Sequence, residues 1–353
     1  MSLVVLVTGG SGFLGNAVIL ALQSRHPDWT IFNLDRQIRR TDDSVKTVQA
    51  DISVAESVNA AFEQIRPQAV CHVAGVVPSG QSRYSTDKAV YDRTFTVNVK
   101  GTTNILEAAR RNGCKQFVYT SSCTVISDDL RHDYPLMDET LPTGNATLAY
   151  GSSKAEAEKL VLAANGTDMS TCALRPATII GPGDSYGVIA AIHTCIANGE
   201  TPFIIGDGNN LYDFVYIDNV ALAHVLAVEN LISSKTAAGE AMFISNQQPV
   251  YFRDFMLAIW AHFGHKPPFQ MYLPASVAWA FGWAAEWASY FAGREIALSR
   301  GTVQDAVGIR YSNNDKAVRL LGYRPVVGFA DAVRLSCKDL QRSLDASKRN
   351  AKA

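Results

Sequence analysis

Short apolar runs alternate with helix-spaced apolar positions along residues 1–175. Runs such as LVVLV, WTIFNL, QFVYTSS and STCALRP are rich in β-branched and aromatic residues, which is typical of strands. Between them, stretches such as FLGNAVILALQSR and TTNILEAARRNG repeat apolar residues every three or four positions. Strict alternation of strand and helix predicts an α/β fold with a doubly wound parallel sheet. Such sheets bind ligands at the carboxyl ends of their strands.

Composition argues against several kinds of partner and site. The 353 residues carry a net charge of −1, which is not the basic excess that a nucleic-acid surface requires. The six cysteines are scattered, with no CxxC pair and no histidines at ligand spacing, so we expect no metal site and no disulfide framework. The start, MSLVVLVTGG, has no basic region and indicates a first strand, not a secretion signal. We expect a cytoplasmic protein.

The turn after the first predicted strand has the spacing of a phosphate-binding loop. Glycines stand at 9, 12 and 15 in TGGSGFLG, residues 8–15. Gly9 permits the tight turn, Gly12 lets the backbone approach a pyrophosphate, and Gly15 lets helix and strand pack closely. Asp35 follows at the end of the second predicted strand, twenty residues after Gly15. This context predicts a dinucleotide cofactor.

Asp35 also discriminates between the two nicotinamide dinucleotides. Its carboxylate can accept both ribose hydroxyls of NAD, whereas it would repel the extra phosphate of NADP. NAD is therefore the expected cofactor. NADP stays as the less favoured alternative because the guanidinium of Arg36 could hold a 2′-phosphate if Asp35 turned away.

A tyrosine and a lysine four residues apart form a second candidate site. Tyr150 and Lys154 lie in YGSSK, and on a helix this spacing places both side chains on one face. Hydroxyl groups stand nearby in the predicted fold, in TSS at 120–122. Each group alone is typical of a solvated helix face or a strand end. Their order after the glycine turn indicates catalysis.

In this order the motifs resemble the extended short-chain dehydrogenase/reductases. The match covers residues 3 to about 225 and is carried by TGGSGFLG, Asp51-Ile52, HVAG at 72–75, Asn98, TSS at 120–122 and Tyr150-x-x-x-Lys154. The resemblance implies that Tyr150 is the catalytic acid/base and that Lys154 lowers its pKa and holds the nicotinamide ribose. A phenol with a pKa of ~10 is a poor base at neutral pH, and a nearby ammonium favours the phenolate.

The resemblance also implies a hydroxyl that donates a hydrogen bond to the substrate oxygen. Ser122 is the expected donor, although Ser121 and Thr124 are close enough in sequence to leave the choice open. His72 is interpreted as a packed core histidine, because Tyr150 already supplies the base.

The same resemblance implies further cofactor contacts. Asp51 would accept a hydrogen bond from the adenine amino group, and Ala74 and Gly75 would let the backbone pass close to the dinucleotide. Asn98 and Pro176 would flank the ribose and the nicotinamide. The complete expected cofactor set is Gly9, Ser11, Gly12, Phe13, Leu14, Gly15, Asp35, Arg36, Asp51, Ile52, Ala74, Gly75, Asn98, Tyr150, Lys154 and Pro176.

Two stretches bear on the substrate. In nucleotide-sugar epimerases and dehydratases of this superfamily, the segment that corresponds to 206–224 carries an arginine that clamps a diphosphate, and here that place is Tyr212. Loss of a bidentate cation disfavours a nucleotide-sugar substrate. This segment and LRPATIIGPGD at 174–184 resemble instead the 3β-hydroxysteroid dehydrogenase branch. We expect Thr124 and Tyr212 to contact the substrate.

Residues 272–293 are unusually apolar and carry one charge, Glu286. At helical spacing their large aromatic residues form a stripe: Trp279, Trp283, Trp287 and Tyr290. Core packing or a lid over an apolar pocket is the favoured interpretation, and contact with a membrane interface is the second. A membrane span is the least favoured, because Pro274, Gly282 and Glu286 interrupt the segment.

Together these features predict NAD-dependent oxidation of an apolar secondary alcohol, with the 3β-hydroxyl of a steroid or terpenoid as the favoured substrate. Decarboxylation or double-bond isomerisation of the product is a further option. The alternatives are an NADPH-dependent ketone or flavonoid-type reductase, a nucleotide-sugar epimerase, and a non-enzymatic dinucleotide-sensing scaffold.

We expect one extended Rossmann fold with a smaller C-terminal lobe. Residues 1–175 would form the NAD-binding core, residues 176–340 a substrate-binding lobe interleaved with it, and residues 341–353 a flexible tail. A homodimer follows from the resemblance alone. Peripheral attachment to the endoplasmic reticulum membrane through 272–293 is the alternative to a purely cytoplasmic location.

Overall fold

A computed structural model describes residues 2–38, 45–184, 187–292 and 298–350. Its strands are β1 (Val4–Thr8), β2 (Thr30–Asp35), β3 (Lys46–Gln49), β4 (Ala69–His72), β5 (Gln116–Thr120), β6 (Tyr134–Met137), β7 (Ser170–Pro176), β8 (Thr178–Ile180), β9 (Phe203–Ile205), β10 (Leu211–Tyr212), β11 (Phe214–Tyr216), β12 (Ala241–Ile244), β13 (Val250–Tyr251), β14 (Met271–Leu273) and β15 (Arg310–Ser312). Its helices are α1 (Phe13–Arg25), α2 (Ala55–Ile65), α3 (Lys88–Phe95), α4 (Gly101–Arg111), α5 (Thr124–Ser127), α6 (Ala149–Ala163), α7 (Val188–Asn198), α8 (Ile217–Ile232), α9 (Phe252–His262), α10 (Ala275–Ala292), α11 (Arg300–Val307), α12 (Asp315–Leu321) and α13 (Phe329–Asn350).

The largest sheet is parallel throughout and confirms the predicted doubly wound fold. Its strand order is β12–β7–β5–β4–β1–β2–β3, so the chain begins in the interior of the sheet and winds toward both edges. Strand β12 comes from the C-terminal part of the sequence and pairs with β7, with Ala241 opposite Ala173. The C-terminal part of the chain therefore contributes a strand to the sheet that the N-terminal part builds.

A smaller sheet has the order β13–β10–β15–β6. Its strands come from distant parts of the sequence, and Tyr212 on β10 lies opposite Arg310 on β15. Met137 at the end of β6 lies opposite Ser312 on β15. This sheet is small, but it brings three segments of the chain to the cavity described below.

The two faces of the large sheet are covered by separate apolar cores. Along β1, Val5 and Val7 belong to one core, together with residues of α8 such as Val220. Leu6, between them, belongs to the other core, together with Phe62 on α2. This alternation follows from the two-residue period of a strand. Burial of each such side chain contributes about 1.5–3 kcal/mol to folding before entropy is counted.

His72 is a buried structural residue, which confirms its interpretation as a core histidine. The Thr102 hydroxyl donates to the Asn98 carbonyl (2.6 Å) and therefore accepts from His72 Nε2 (2.9 Å). Nδ1 then accepts from the Thr8 hydroxyl (2.7 Å), whose oxygen accepts the amide of Ala74 (3.1 Å). Burial lowers the pKa of His72 to about 3, so the ring is neutral and links the end of β1 to α4.

The aromatic stripe of α10 is exposed, so core packing is wrong, while the lid, the other part of the favoured interpretation, stays a prediction. The helix buries Ala278 and Gly282 instead and packs with this small-residue face on α11, because small side chains allow close approach. The exposed fractions are 42% for Trp279, 49% for Trp283 and 51% for Trp287. The side chain of Tyr290 and residue 293 lie outside the described part of the chain. Within the ranges given above, no helix is long and apolar enough to cross a bilayer.

The last helix, α13, continues through most of the predicted tail. It ends at Asn350 instead of near residue 340, and a hydrogen bond of 2.9 Å joins Gln341 to Asp345 one turn later. The polar composition that indicated a tail is therefore that of an exposed helix end. Residues 351–353 lie outside the described part.

Candidate active site

One cavity brings together nearly all the residues that the sequence singles out. It has a volume of about 740 Å³, which suits a small-molecule site, and lies at the carboxyl ends of β1, β4, β5 and β7. The expected residues on its wall are Gly9, Gly12, Phe13, Leu14, Gly15, Asp35, Arg36, Asp51, Ile52, Ala74, Gly75, Ser122, Thr124, Tyr150, Lys154, Pro176 and Tyr212. Ser11 and Asn98 are the two expected residues that do not line it.

The glycine turn leaves the amino end of α1 open toward the cavity. Gly9 adopts φ +70°, and its amide donates to the Leu34 carbonyl (2.8 Å). Gly12 precedes the helix, with no side-chain cap and no acidic residue in the first turn. A Cβ on Gly15 would collide with the backbone of Gly9. Free helix amides and the positive end of the helix dipole therefore fit a pyrophosphate.

Asp35 is held in place for contact with a ribose. Its Oδ2 accepts the amide of Ser11 (3.1 Å) and its Oδ1 accepts the amide of Gln37 (3.0 Å), which leaves further lone pairs for ribose hydroxyls. Ser11 does not line the cavity: its amide binds Asp35 and its hydroxyl accepts from Asn33 (3.0 Å). Ser11 thus orients the carboxylate that discriminates between cofactors. Its expected contact with the cofactor stays a prediction.

Asp51 is an ionised acceptor at the same end of the cavity. Its Oδ1 accepts the hydroxyl (2.7 Å) and the amide (2.9 Å) of Ser53, and these bonds lower its pKa, with a smaller effect from the charge of Arg36. A carboxylate in this place can accept from an adenine amino group.

Asn98 does not line the cavity, and its expected contact with the cofactor stays a prediction. Its side chain bonds both backbone groups of Val76, at 2.8 and 3.0 Å, and donates to the Ser153 hydroxyl (3.0 Å). These bonds use the whole amide and tie the turn after β4 to α6. Gly75 does line the cavity, and a side chain there would press on the Lys154 ammonium.

Helix α6 presents Tyr150 and Lys154 at the inner end of the cavity. The Lys154 ammonium is buried, donates to the Thr120 carbonyl (2.8 Å) and lies 4.9 Å from the centre of the Tyr119 ring. Burial lowers the pKa of Lys154 to about 8, and the charge of Glu158 opposes this effect. Lys154 is therefore positively charged at neutral pH, and this charge is lost as the pH rises through about 8.

Ser122 is the hydroxyl whose hydrogen is directed to the Tyr150 side of the cavity. Its oxygen accepts the hydroxyl (2.9 Å) and the amide (3.3 Å) of Thr124, so its own hydrogen is available on the side of Tyr150. The Ser121 hydroxyl donates instead to Glu158 (2.6 Å). The geometry thus favours Ser122 and gives Thr124 the task of orienting it.

Burial is the main influence on the Tyr150 phenol. It raises the pKa of Tyr150 to about 12, while a hydrogen bond from Ser122 and the positive charge of Arg83 favour the phenolate. Arg83 was not expected from the sequence. The role of Lys154 in this titration stays a prediction.

A buried ion pair supports α6 one turn beyond Lys154. Arg175 on β7 donates to Glu158 through Nη2 (2.6 Å) and Nε (3.0 Å), and both side chains are almost fully buried. A paired, hydrogen-bonded charge is the form in which a carboxylate is tolerated in a core. The pair ties α6 to the central sheet directly behind the Tyr/Lys face.

Apolar side chains outside the expected cofactor set also line the cavity. The larger apolar side chains there are Val77, Met137, Ile179, Val188 and Tyr212. Tyr212 is held by contacts with aromatic neighbours on β11 and α9, and its hydroxyl accepts from Thr178 (3.4 Å). An apolar, flat ligand suits these walls better than a sugar diphosphate.

Sequence reasoning also missed charged residues that line this cavity, among them Arg310 and Asp213. Arg310 is 5% exposed and pairs with Asp305 through Nη1, while its Nε and Nη2 find no acceptor among the described residues. Asp213 accepts the Ser312 hydroxyl (2.9 Å), and burial raises its pKa to about 6. The sequence signal for Arg310 and Asp213 was a charged residue inside a short strand pattern, because such a residue needs a partner when it is buried.

Comparisons with known proteins identify the family that this chain matches. The family model of the 3-beta hydroxysteroid dehydrogenase/isomerase family matches residues 6–275. The decarboxylating sterol-4-alpha-carboxylate 3-dehydrogenase of Schizosaccharomyces pombe is 37% identical over 331 residues, covering 92% of this chain and 94% of that protein. Short-chain dehydrogenase/reductase family 42E member 1 of Bos taurus is 33% identical, with coverage of 90% and 83%.

A solved structure shares the fold. UDP-glucose 4-epimerase of Thermotoga maritima superposes with a TM-score of 0.75 over 97% of this chain and 100% of that one, at 21% identity. This likeness concerns the fold alone. The family match and the long alignments show that the chain belongs to the 3-beta hydroxysteroid dehydrogenase/isomerase family.

Proposed function

We propose that the protein is an NAD-dependent dehydrogenase that oxidises the 3β-hydroxyl of a sterol carrying a carboxylate on the neighbouring carbon, C4. The observation that carries this proposal is the convergence of Ser122, Tyr150 and Lys154 on one cavity with apolar walls and a partly unpaired guanidinium, Arg310. The names of the similar sterol-4-alpha-carboxylate 3-dehydrogenases support the same substrate class.

The catalytic end supplies a base and a donor for one oxygen atom. When bound, NAD accepts the hydride of the carbinol carbon. Tyr150 takes the hydroxyl proton, Ser122 donates to the same oxygen, and Lys154 favours the phenolate and holds the ribose. Loss of one hydride and one proton converts the alcohol to a ketone.

The β-keto carboxylate that results can then lose carbon dioxide. Breakage of its bond to C4 releases carbon dioxide and leaves the electron pair on the ketone as an enolate, which takes up a proton. Hydrogen bonds from Ser122 and Tyr150 to the oxygen stabilise this developing charge. The free N–H groups of Arg310 fit the carboxylate before it leaves.

NAD is proposed over NADP because Asp35 is fixed at the ribose end of the cavity. A nucleotide sugar fits less well, because Tyr212 stands where the epimerases carry a diphosphate clamp. The division into a core at 1–175 and a lobe at 176–340 stays a prediction, and so does the homodimer.

Tyr150→Phe tests the base. We expect kcat/KM for NAD reduction by a 4-carboxy-3β-hydroxysterol to fall roughly 10²- to 10⁴-fold, because the phenyl ring cannot take the proton. The rate is followed by the absorbance of reduced nicotinamide. Tyr251→Phe, a change at an exposed tyrosine, is the matched control. Undiminished activity of Tyr150→Phe would contradict the mechanism.

Arg310→Lys tests the carboxylate contact. Lysine keeps a cation for Asp305 but loses the planar fork, so we expect kcat/KM for the carboxylated sterol to fall roughly ten- to a hundred-fold. The same sterol without the carboxylate should change much less. The ratio of the two values is the readout, with Arg334→Lys on the surface of α13 as the control. Equal losses on both substrates would rule out the contact.

We also propose that α10 and its neighbours form a peripheral contact with a membrane. The exposed apolar side chains are Phe203, Met271, Tyr272, Trp279, Phe281, Trp283 and Trp287. Met271 on β14 pairs with Phe203 on β9, and β14 leads directly into α10. Tryptophan suits the headgroup region, where its ring is apolar and its N–H is hydrated. A contact with the endoplasmic reticulum membrane would bring the enzyme to an apolar substrate.

Flotation with phosphatidylcholine vesicles measures this contact. The unaltered protein should float with the vesicles, and a Trp283→Gln/Trp287→Gln variant should bind roughly tenfold more weakly or worse, because it loses buried apolar area. Leu20→Gln, at an exposed apolar position on α1, is the control. Equal binding of the tryptophan variant, or no flotation of the unaltered protein, would contradict the proposal.

A further inference from the structure

An ion pair that the mechanism above does not use lies beside the Tyr150 ring. Arg83, in the segment after β4, donates to Asp128 through both Nη atoms, with Nη1 at 3.0 Å from Oδ2. Asp128 is 1% exposed. Its Oδ2 also accepts the amide of Gly151 (2.9 Å), and its carbonyl accepts the amide of Thr147 (3.2 Å). One carboxylate thus joins the Arg83 segment to the first turn of α6.

The Arg83–Asp128 pair is close enough to influence both the position and the protonation state of the Tyr150 phenol. The guanidinium carbon of Arg83 lies 5.8 Å from the centre of the Tyr150 ring. Gly151 follows Tyr150 in the sequence, and a Cβ added to Gly151 would press on Asp128 and on the carbonyl of Thr124. The first turn of α6 therefore rests directly on the carboxylate.

Other titratable groups face Tyr150 from the surrounding elements. They are Tyr119 on β5, Cys123 before α5 and Lys154 on α6 itself. After burial and the hydrogen bond from Ser122, the charge of Arg83 is the next influence on the phenol and favours the phenolate, while Asp128 disfavours it. Because the two charges are opposite, removal of Arg83 should raise the pKa of Tyr150 and removal of the Asp128 charge should lower it.

We propose that Arg83 and Asp128 are positioning residues for the dehydrogenase reaction, which hold the first turn of α6 and place a cation and an anion against the Tyr150 phenol. The inference rests on the proposed role of Tyr150 as the base. Arg83 and Asp128 line the same cavity as Tyr150, and their contacts with the Tyr150 ring and with Gly151 are the ones through which they act here.

The test uses Asp128→Asn and Arg83→Met, with Arg83→Lys as the charge-preserving control. Asparagine still accepts the Gly151 amide but removes the negative charge, so the pKa of Tyr150 should fall on the order of one unit. Methionine removes the positive charge and leaves Asp128 unopposed, so this pKa should rise on the order of one unit. Lysine should produce a smaller shift than methionine.

The titration is read by NMR of isotope-labelled tyrosine rings in the complex with NAD and without alcohol, with the Tyr150 signal assigned through Tyr150→Phe. The acid limb of the pH profile of kcat/KM should move in the same directions. Shifts of opposite sign support the inference. Shifts of the same sign, or none, overturn it, because a merely structural pair would not reverse sign. If Arg83→Met does not fold, the test is the comparison of the other two variants. Asp128→Asn should lower the pKa of Tyr150, and Arg83→Lys should change this pKa only slightly.

Failure of the substrate proposal gives a different result. If no sterol is oxidised but the Tyr150 signal shifts with opposite signs, the substrate class is wrong and the inference stands. If the sterol is oxidised and Tyr150→Phe abolishes the rate, but the two variants leave the titration unchanged, the function stands and the inference fails.

Discussion

A partly buried phenol and a buried ammonium on the same face of α6 are the constraint on which the site depends. Burial favours the neutral form of both groups, raising the pKa of Tyr150 and lowering that of Lys154. Catalysis of alcohol oxidation needs the opposite, a phenolate next to a cation. The surrounding structure therefore has to supply the charges and hydrogen bonds that water supplies elsewhere.

The fold supplies them from strands that end at the same edge of the sheet. The end of β5 offers the Thr120 carbonyl to Lys154 and the Ser122 hydroxyl to Tyr150. Two largely buried ion pairs, one at each side of the Tyr/Lys turn, hold α6 itself: Arg83–Asp128 before it and Arg175–Glu158 after it. Breaking such a pair leaves an uncompensated charge, so α6 has little freedom to shift.

The sequence carries the parts of this arrangement that depend on local spacing. The strand and helix order, the glycine turn and the Tyr150–Lys154 face could be predicted because each follows from contiguous residues and known periods. Arg83, Asp128 and Arg310 could not, because they meet the site only through tertiary contacts between distant segments. Ser11 and Asn98 were expected to contact the cofactor, but neither lines the cavity and their side chains bond to neighbouring protein groups, which no spacing rule records. Core packing or a lid was expected for the α10 tryptophans because periodicity shows a stripe but not which face of the helix is packed.

The central claim is that one cavity holds the nicotinamide, the Tyr150 phenol and the substrate carbinol within mutual reach. A crystal structure with NAD bound tests it most directly. The account predicts the pyrophosphate at the amino end of α1, and the reactive carbon of the nicotinamide facing the gap between Ser122 and Tyr150, close enough for one carbinol to contact all three. A nicotinamide ring that lies away from α6, with the Tyr150 hydroxyl out of reach, would contradict the account.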